Sequence, residues 1–564
     1  LLKVQRTQKR HPCTLHLGAF VARETVFYCP RCPGSPALFS EELRALVGPG
    51  RTFGYDIMVH VGEQIFRRCR TVGETVAELA ARNIAISASE VRDLAARFIV
   101  SLGLAHAEAA GGIREHLRTA GGYILHLDST CKGSSAHLVT GIDELSGFVL
   151  LNAKVDTESR EHLLPCLQTL VERFGTPVAI SCDMSRGILA AVGEVLRNTP
   201  VFICHFHFLR DLGKDLLAED YATVRNGLRR HGPKAELKRL QRALRDVVHA
   251  EAERLEELLE AVDSPNSSAA AVRLPSYGAL LGGFVSSILE AENQGDGCGF
   301  PFDRTHLLFF RQAQTVLTAV EAIGDLTRLD APDRKLFKRL VNVLQPMCSD
   351  RSLTAAAEAL EGKARVFDRL RTAMQIAEPG ERKGLNDEGR NLSISTIKCN
   401  VERFCDELRA DTRRMAQPEF RALLEQINAY GEMLFADPVR VQTPAGPATI
   451  QPQRTNNILE RFFRRLNRQG RKRTGQQPGE AFLSRMLPDT PLVANLDNPQ
   501  YLDTLLDGCN SLAERLARVD HTLVNETLAE LQKSQTGLKQ RVRARLRRQP
   551  TPLQIALFIL KRTA

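Results

Sequence analysis

The sequence predicts a mixed α/β core that is interrupted by a large all-helical insertion. Residues 121–217 alternate short apolar runs with amphipathic helical patterns. Residues 218–440 show helical periodicity almost throughout. A strongly basic helical segment, residues 454–473, follows and would return the chain to the core. At 564 residues the chain is long enough for three or more domains.

Five strands and two helices are predicted for the first part of the core. The segments YILHLDST, HLVTGIDE and GFVLLNAKV are three strands joined by short turns. The helix ESREHLLPCLQTLVERFG, the buried strand PVAISCD, the helix RGILAAVGEVLRN and the strand PVFICHF come next. Three antiparallel strands, then two parallel strands separated by helices, is the order of the RNase H-like fold. We therefore predict such a core in two pieces, residues 121–217 and 441–488, around an insertion at 218–440.

Three acidic residues stand where this core would bring them together. Asp128 ends the first strand, Asp183 ends the fourth, and Glu460 lies on the basic helix. Ligands of open α/β sheets bind at the carboxyl ends of the strands, and carboxylate oxygens are preferred ligands of Mg²⁺ and Mn²⁺. Two such ions ~3.5–4 Å apart promote phosphodiester cleavage. We predict a two-metal site in which Asp128 bridges both ions and Asp183 and Glu460 each complete one.

The helix that carries Glu460 has a polar and an apolar face. The polar face is formed by Asn456, Glu460, Arg464, Asn467 and Arg471. The apolar face, which would dock on the sheet, is formed by Leu459, Phe462, Phe463 and Leu466. The residues predicted to hold DNA phosphates are Arg464, Arg468, Arg471, Lys472 and Arg473. A surface Glu460 that only balances its Arg neighbours is the alternative interpretation.

The first 50 residues contain two pairs of possible zinc ligands. Cys13 and His16 are separated by two residues, and Cys29 and Cys32 repeat that spacing after a β-like stretch. Two such pairs joined by a hairpin can hold one structural Zn²⁺, as in a zinc ribbon. His11 is a possible substitute ligand. Incidental cysteines are the alternative.

Residues 51–120 predict a helix-turn-helix module for DNA binding. Thr71 with Glu74, and Ser87 with Glu90, have capping-box spacing, so a helix should begin at each pair. The second helix would enter a major groove and present Arg92 and Arg97 to base edges. An ordinary pair of helices that packs a small core is the alternative.

Composition favours a polyanionic partner and an intracellular protein. The formal charge is +10, and Arg outnumbers Lys by 60 to 16; Arg suits phosphate and guanine contacts, although a coding bias would also enrich it. No apolar run approaches the ~18 residues of a membrane span, and scattered Cys in apolar strands fit reduced thiols.

Residues 489–564 are predicted to be helical and basic; the tract 539–548 is either a phosphate-binding surface or a solvated helix face.

At these residues the chain resembles the RNase H-like DDE transposases, in particular prokaryotic insertion-sequence transposases and their Mutator-like relatives. The matching segments are LDST with Asp128, SCDMSRGILAAV with Asp183, CHFHFLRDLGKDLL, and TNNILERFFRRLNRQGRKRTG with Glu460. Cys204 and His207 occupy the C-x-x-H pair that follows the second Asp in that group. The resemblance covers roughly residues 121–475.

The resemblance implies a transposase that cleaves and joins double-stranded DNA at element ends and target. It further implies two Mg²⁺ or Mn²⁺ ions, a homodimer or higher oligomer on DNA, and a nucleoid-associated cytoplasmic protein. Cys204, His207 and Asn456 would lie near the site, where the C-x-x-H pair would anchor a strand end or His207 would position substrate. A nuclease or resolvase without strand transfer, and a domesticated DNA-binding protein, remain alternatives.

Overall fold

The computed structural model describes residues 2–31, 37–263, 273–326, 329–376, 393–536 and 551–563. The chain forms two compact units: Leu1–Cys204 with Ala436–Ala564, and His205–Phe435. Cys32 and the basic tract 539–548 lie outside the described residues. Within the described part of the chain, no helix is long and apolar enough to cross a membrane.

The first unit contains eleven strands among its described residues. They are β1 (Lys3–Arg10), β2 (Cys13–Thr14), β3 (Gly18–Ala19), β4 (Ala22–Tyr28), β5 (Ile124–Thr130), β6 (His137–Asp143), β7 (Val149–Val155), β8 (Ala179–Cys182), β9 (Val201–Ile203), β10 (Val439–Thr443) and β11 (Gly446–Ile450). Its helices before residue 205 are α1 (Glu41–Leu46), α2 (Tyr55–Gly62), α3 (Val72–Ala81), α4 (Ala88–Glu108), α5 (Ala110–Thr119), α6 (Arg160–Phe174) and α7 (Arg186–Val195).

The second unit and the rest of the first are built from helices and one hairpin. The second unit contains α8 (His205–His231), α9 (Pro233–Ala250), α10 (Ala252–Asp263), α11 (Tyr277–Glu290), α12 (Thr305–Leu326), α13 (Ala331–Cys348), α14 (Arg351–Met374), α15 (Ile394–Ala410), α16 (Thr412–Met415) and α17 (Pro418–Leu434). After the β10–β11 hairpin, the first unit continues with α18 (Asn457–Thr474), α19 (Glu480–Arg485), α20 (Pro499–Leu506), α21 (Leu512–Ala517), α22 (His521–Thr536) and α23 (Thr551–Thr563).

A five-stranded mixed sheet is the centre of the first unit. Its order is β7-β6-β5-β8-β9, with β5, β6 and β7 antiparallel and β5, β8 and β9 parallel. The predicted mixed α/β sheet is therefore confirmed, with the predicted strand directions. β5 is the middle strand, and Ile124 to Leu127 are fully buried because both faces of the sheet are covered.

Helices from distant parts of the chain cover this sheet. Leu163 and Leu167 of α6 belong to the same hydrophobic cluster as Leu125 and Leu127 of β5. Leu466 of α18, more than 300 residues later in the chain, packs with Leu138 of β6, together with Leu483 and Met486. The apolar face predicted for α18 is thus its buried face, with Leu459, Phe463 and Leu466 all buried.

All the regular secondary structure described in the second unit is helical, as the sequence predicted for 218–440, but the first helix begins earlier, at His205. The segment PVFICHF was expected to be a strand, whereas β9 ends at Ile203 and α8 begins at His205. Phe208, Leu209 and Leu212 are buried on α8. Their three- to four-residue spacing is helical and determines where the strand gives way to helix.

Candidate active site

Asp128 and Asp183 lie at the same edge of the central sheet. β5 and β8 are parallel, and Leu127 pairs with Cys182, so the two aspartates are the next residues along neighbouring strands. The N–H of Ser129 donates to Asp128 Oδ1 at 2.7 Å, which fixes the orientation of that carboxylate. Asp128 is 8% exposed. The sheet therefore brings together the first two predicted catalytic residues.

Glu460 lies in the first turn of α18, and Asn456 is the N-cap residue of this helix. Asn456 is buried and makes three hydrogen bonds to other segments. Its Nδ2 donates to Leu127 O at 3.3 Å, its backbone N–H donates to Cys204 Sγ at 3.2 Å, and its Oδ1 lies 2.9 Å from His126 Nδ1. The N–H of Glu460 donates in turn to Asn456 O at 3.0 Å. The start of α18 is thus fastened to β5 directly beside Asp128.

His126 and Cys204 are the two side chains that hydrogen-bond to Asn456 at the start of α18. The other ring nitrogen of His126, Nε2, lies 2.9 Å from Glu144 Oε2, and both side chains are almost fully buried. Cys204 follows β9, and its N–H donates to Cys182 O, which extends the β8–β9 pairing by one residue. Cys204 therefore acts structurally, as an acceptor for the residue that begins the Glu460 helix. The sequence indicated Asn456 and Cys204 as near-site residues but gave no reason to single out His126.

His207 belongs to the second unit, whereas Cys204 belongs to the first. It is buried on α8, and burial lowers the pKa of its imidazole to about 4, helped by the positive charge of Arg210. The ring is therefore neutral at neutral pH.

Three carboxylates lie close enough to Asp128 to change the pKa of its side chain. Burial and, after it, the negative charges of Asp183, Glu158 and Glu460 together raise the pKa of Asp128 to about 8, against the hydrogen bond from Ser129. Coulombic coupling of this kind requires the groups to be near one another in a poorly solvated environment. The three predicted acidic residues are thus neighbours, although Glu460 lies 277 positions after Asp183 in the chain.

Glu158 is the member of this cluster that sequence reasoning missed. It follows β7, and its carboxylate accepts hydrogen bonds from the hydroxyls of Ser129 and, at 3.3 Å, Ser185. It therefore connects the loop after Asp128 with the loop after Asp183. A Cβ at Gly187 would lie 1.6 Å from Glu158 O, so only glycine permits this close approach of α7. One signal was available: β7 runs parallel to β5, so its carboxyl end reaches the same edge of the sheet.

The donor chemistry of the site fits a hard divalent cation. Carboxylate oxygens are the ligands that Mg²⁺ and Mn²⁺ prefer, and a cation would favour the ionised form of the buried Asp128. Among the described residues, no group of three or more His, Cys, Asp and Glu side chains is arranged to hold a metal ion by itself. Metal binding at this edge therefore remains a prediction.

The basic residues of α18 divide into two groups. Arg464, Arg468, Arg471 and Lys472 are exposed. Arg473, in contrast, places its guanidinium over the rings of Phe66 and Phe482, at 5.6 and 5.5 Å from their centroids, and burial lowers its pKa. The Arg473 side chain thus packs against two aromatic rings, whereas its contact with DNA phosphate stays a prediction.

The predicted helix pair is present, but it offers less surface to DNA than expected. Both capping boxes form, at Thr71 with Glu74 and at Ser87 with Glu90. However, α4 is 21 residues long, and residues 98–102 are all buried, so the helix also serves as a core helix. Arg92 is exposed. Arg97 is not available for bases, because it donates to Asp93 Oδ2 at 2.7 Å and to Asn525 Oδ1 at 2.9 Å.

Two of the predicted zinc ligands, Cys13 and Cys29, lie beyond opposite ends of a hairpin. Arg10 pairs with Ala22 at one end of the β1–β4 hairpin, and Lys3 pairs with Tyr28 at the other. Cys13 follows the first end and Cys29 the second, so about 20 Å of strand separates them. His16 lies in the exposed turn between β2 and β3, and Cys32 is outside the described residues. Because one Zn²⁺ binds its ligands at about 2.0–2.3 Å, Cys13 and Cys29 do not share an ion in this conformation.

No protein-family model matches the chain, and no curated protein matches it.

Proposed function

We propose that this protein is a DDE transposase that cleaves and joins DNA strands through a carboxylate site formed by Asp128, Asp183 and Glu460. The observation that carries the proposal is that Asp128 and Asp183 directly follow the paired residues Leu127 and Cys182 of two neighbouring parallel strands. Burial and the charges of Asp183, Glu158 and Glu460 also raise the pKa of Asp128. Perturbed carboxylates at the carboxyl edge of a sheet are typical of functional sites. A structural role alone would not require so much negative charge around one buried aspartate.

The order and directions of the five strands support an RNase H-like core. The antiparallel β7-β6-β5 and parallel β5-β8-β9 pairs place β5 in the middle, with Asp128 near its end. The return of α18 after a helical unit then supplies Glu460. This arrangement matches the chain organisation expected from the resemblance to transposases, and it explains why a large helical segment separates the acidic residues.

Each residue has a definable task in this proposal. Asp128, Asp183 and Glu460 would hold two Mg²⁺ or Mn²⁺ ions, which when bound would supply Lewis-acid activation of a water or 3′-hydroxyl and stabilisation of the leaving oxygen. Asn456 keeps Glu460 beside Asp128, and Glu158 links the two aspartate loops. Arg464, Arg468 and Arg471 would neutralise phosphates of the DNA as it crosses α18.

The proposal includes a location and an assembly. Double-stranded DNA, as element ends and as target, would be the partner, and the protein would act as a homodimer or higher oligomer on it. A nucleoid-associated protein of the prokaryotic cytoplasm is the setting in which such a reaction takes place. The formal charge of +10 supports a polyanionic partner.

The test is cleavage of duplexes taken from the DNA that flanks the gene, in the presence of Mg²⁺ or Mn²⁺. We expect Asp128→Asn, Asp183→Asn and Glu460→Gln each to abolish cleavage and leave DNA binding largely intact, because an amide preserves shape but removes the charge that a cation needs. Glu172→Gln, an exposed carboxylate on α6, is the matched control and should cleave normally. Substantial cleavage by any of the three amide variants would remove that residue from the site.

Strand transfer distinguishes the transposase from a nuclease with the same site. Pre-cleaved ends with a free 3′-hydroxyl should join to a plasmid target when the wild-type protein and metal are present. Cleavage without joining would support a nuclease or resolvase instead. DNA binding with neither reaction would support the domesticated DNA-binding protein.

A further inference from the structure

A buried hydroxyl without a hydrogen-bond partner lies directly across the sheet from Asp128. In the β5–β6 pairing Asp128 is opposite Thr140, and Thr140 is opposite Asn152 on β7. Directly opposite residues of antiparallel strands point to the same face of the sheet. Thr140 is 0% exposed, and among the described residues its Oγ1 makes no hydrogen bond.

A buried hydroxyl without a hydrogen-bond partner lowers the stability of the fold, so its presence calls for a functional reason. Most buried polar side-chain atoms in proteins have a partner, and a valine at this position would fill the same space without a polar atom. The Oδ1 atom of the neighbouring Asn152 is also buried and without a partner in the described structure. Thr140 Oγ1 and Asn152 Oδ1 thus lie side by side across the strands from Asp128. Because packing alone would favour apolar side chains here, the polar groups indicate a role in the acidic site.

The distance across the strand pair suits a contact with the Asp128 carboxylate. Cβ atoms of directly opposite residues are about 4.5–5.5 Å apart. A hydroxyl one bond from its Cβ and a carboxylate two bonds from its Cβ can span that gap after a rotation about the side-chain bonds. Asp128 Oδ1 already accepts the Ser129 N–H, and an ionised carboxylate has capacity for further donors.

We propose that Thr140 is a positioning residue whose hydroxyl donates a hydrogen bond to the Asp128 carboxylate when that carboxylate holds a divalent cation. The inference rests on the proposed function, since it concerns the same site. Hydrogen bonds to metal-binding carboxylates orient them, and their loss typically weakens metal affinity or activity roughly 10- to 100-fold. Thr140 does not contact DNA in this proposal; it acts only through Asp128.

The test compares Thr140→Val with Thr140→Ser in the full-length protein. Mn²⁺ affinity is measured by the electron paramagnetic resonance signal of free Mn²⁺, and cleavage of flanking-DNA duplexes is measured in parallel. We expect Thr140→Val to weaken Mn²⁺ binding and slow cleavage roughly 10- to 100-fold with unchanged KM for DNA. Its Tm should equal or exceed that of the wild type, because an unpaired polar atom is removed. Thr140→Ser should restore both affinity and rate.

Ser181→Ala is the matched control. Ser181 is also fully buried on the sheet with an unpaired Oγ, but it is opposite His126 rather than a carboxylate. This variant should bind Mn²⁺ and cleave as the wild type does. Wild-type Mn²⁺ affinity and rate in Thr140→Val, or an equal loss in Ser181→Ala, would overturn the role of Thr140. Failure of the wild type itself to bind Mn²⁺ and cleave would count against the proposed function instead.

Discussion

His126 Nδ1 and Asn456 Oδ1 lie 2.9 Å apart, and this hydrogen bond joins the central strand β5 to the N-cap residue of α18, the helix that carries Glu460. The two residues are 330 positions apart in the sequence, and both are fully buried. With the contacts to Leu127 and Cys204, this pair determines where α18 begins relative to Asp128. The geometry of the acidic site thus depends on residues that do not themselves carry its charge.

Asn456→Ala should separate the start of α18 from β5. It leaves His126 and Leu127 O without their buried partner, so we expect a loss of about 2–4 kcal/mol in the free energy of unfolding. Cleavage should fall more than DNA affinity, because Glu460 moves while the exposed Arg residues remain. Urea unfolding and cleavage assays measure both effects. Asn498→Ala is the control: it removes the cap of α20, which should cost about 1 kcal/mol without changing cleavage.

Glu158→Ala should loosen the two aspartate loops. The substitution removes the acceptor shared by Ser129 and Ser185, and we expect a loss of about 1–3 kcal/mol in stability together with slower cleavage. Glu158→Gln keeps an acceptor oxygen, so it should be more stable than Glu158→Ala. Equal stability of wild type and Glu158→Ala in urea would show that the bridge contributes nothing.

Stability without added metal should fall as pH rises. The pKa of Asp128 is about 8 in the folded protein against an ordinary value of 3.8. Between these values the folded state binds a proton that the unfolded state does not, so the free energy of unfolding decreases from pH 4 to pH 8, by at most a few kcal/mol. Tm measured over this range checks the slope. Asp128→Asn should flatten it, and Mg²⁺ should raise Tm more at pH 8 than at pH 5.

Arg473 and its neighbours on α18 should respond differently to neutralisation. Arg473→Ala removes a guanidinium packed on Phe66 and Phe482 and should cost about 1–2 kcal/mol in stability, with an unchanged salt dependence of DNA binding. Replacing Arg464, Arg468 and Arg471 together should weaken binding to all sequences and reduce the slope of log K against log salt by about 3. Equal slopes for both variants would remove α18 from the DNA interface.

Substitutions of Arg92 and Arg97 test whether α4 recognises the base sequence of DNA. Arg92→Ala should narrow the difference in affinity between flanking-end DNA and random DNA, because only Arg92 of the two is free to reach bases. Arg97→Ala should instead reduce stability by about 1–2 kcal/mol through the lost contacts with Asp93 and Asn525. If Arg92→Ala lowers both affinities equally, another segment reads the sequence.

Local sequence patterns were sufficient to predict most strands and helices and to single out Asp128, Asp183 and Glu460. Apolar runs ending in Asp128 and Asp183 predicted the strands, and the capping boxes at Thr71 and Ser87 predicted the starts of α3 and α4, because these signals are encoded within a few residues. The helical periodicity around Glu460 likewise predicted α18 and its buried face. The directions of the strands followed from the alternation of strands and helices, which leaves few ways to connect them.

Tertiary structure decided which side chains meet and which remain available. Glu158 became part of the site only because the end of β7 lies beside the loops after β5 and β8. The Arg473 guanidinium packs on aromatic rings only because Phe66 and Phe482 lie against it. Cys13 and Cys29 each begin a pair with zinc-ligand spacing in the sequence, yet the β1–β4 register holds these two residues at opposite ends of a hairpin. Spacing along a chain limits the distance between two residues, but contacts between segments far apart in sequence determine it.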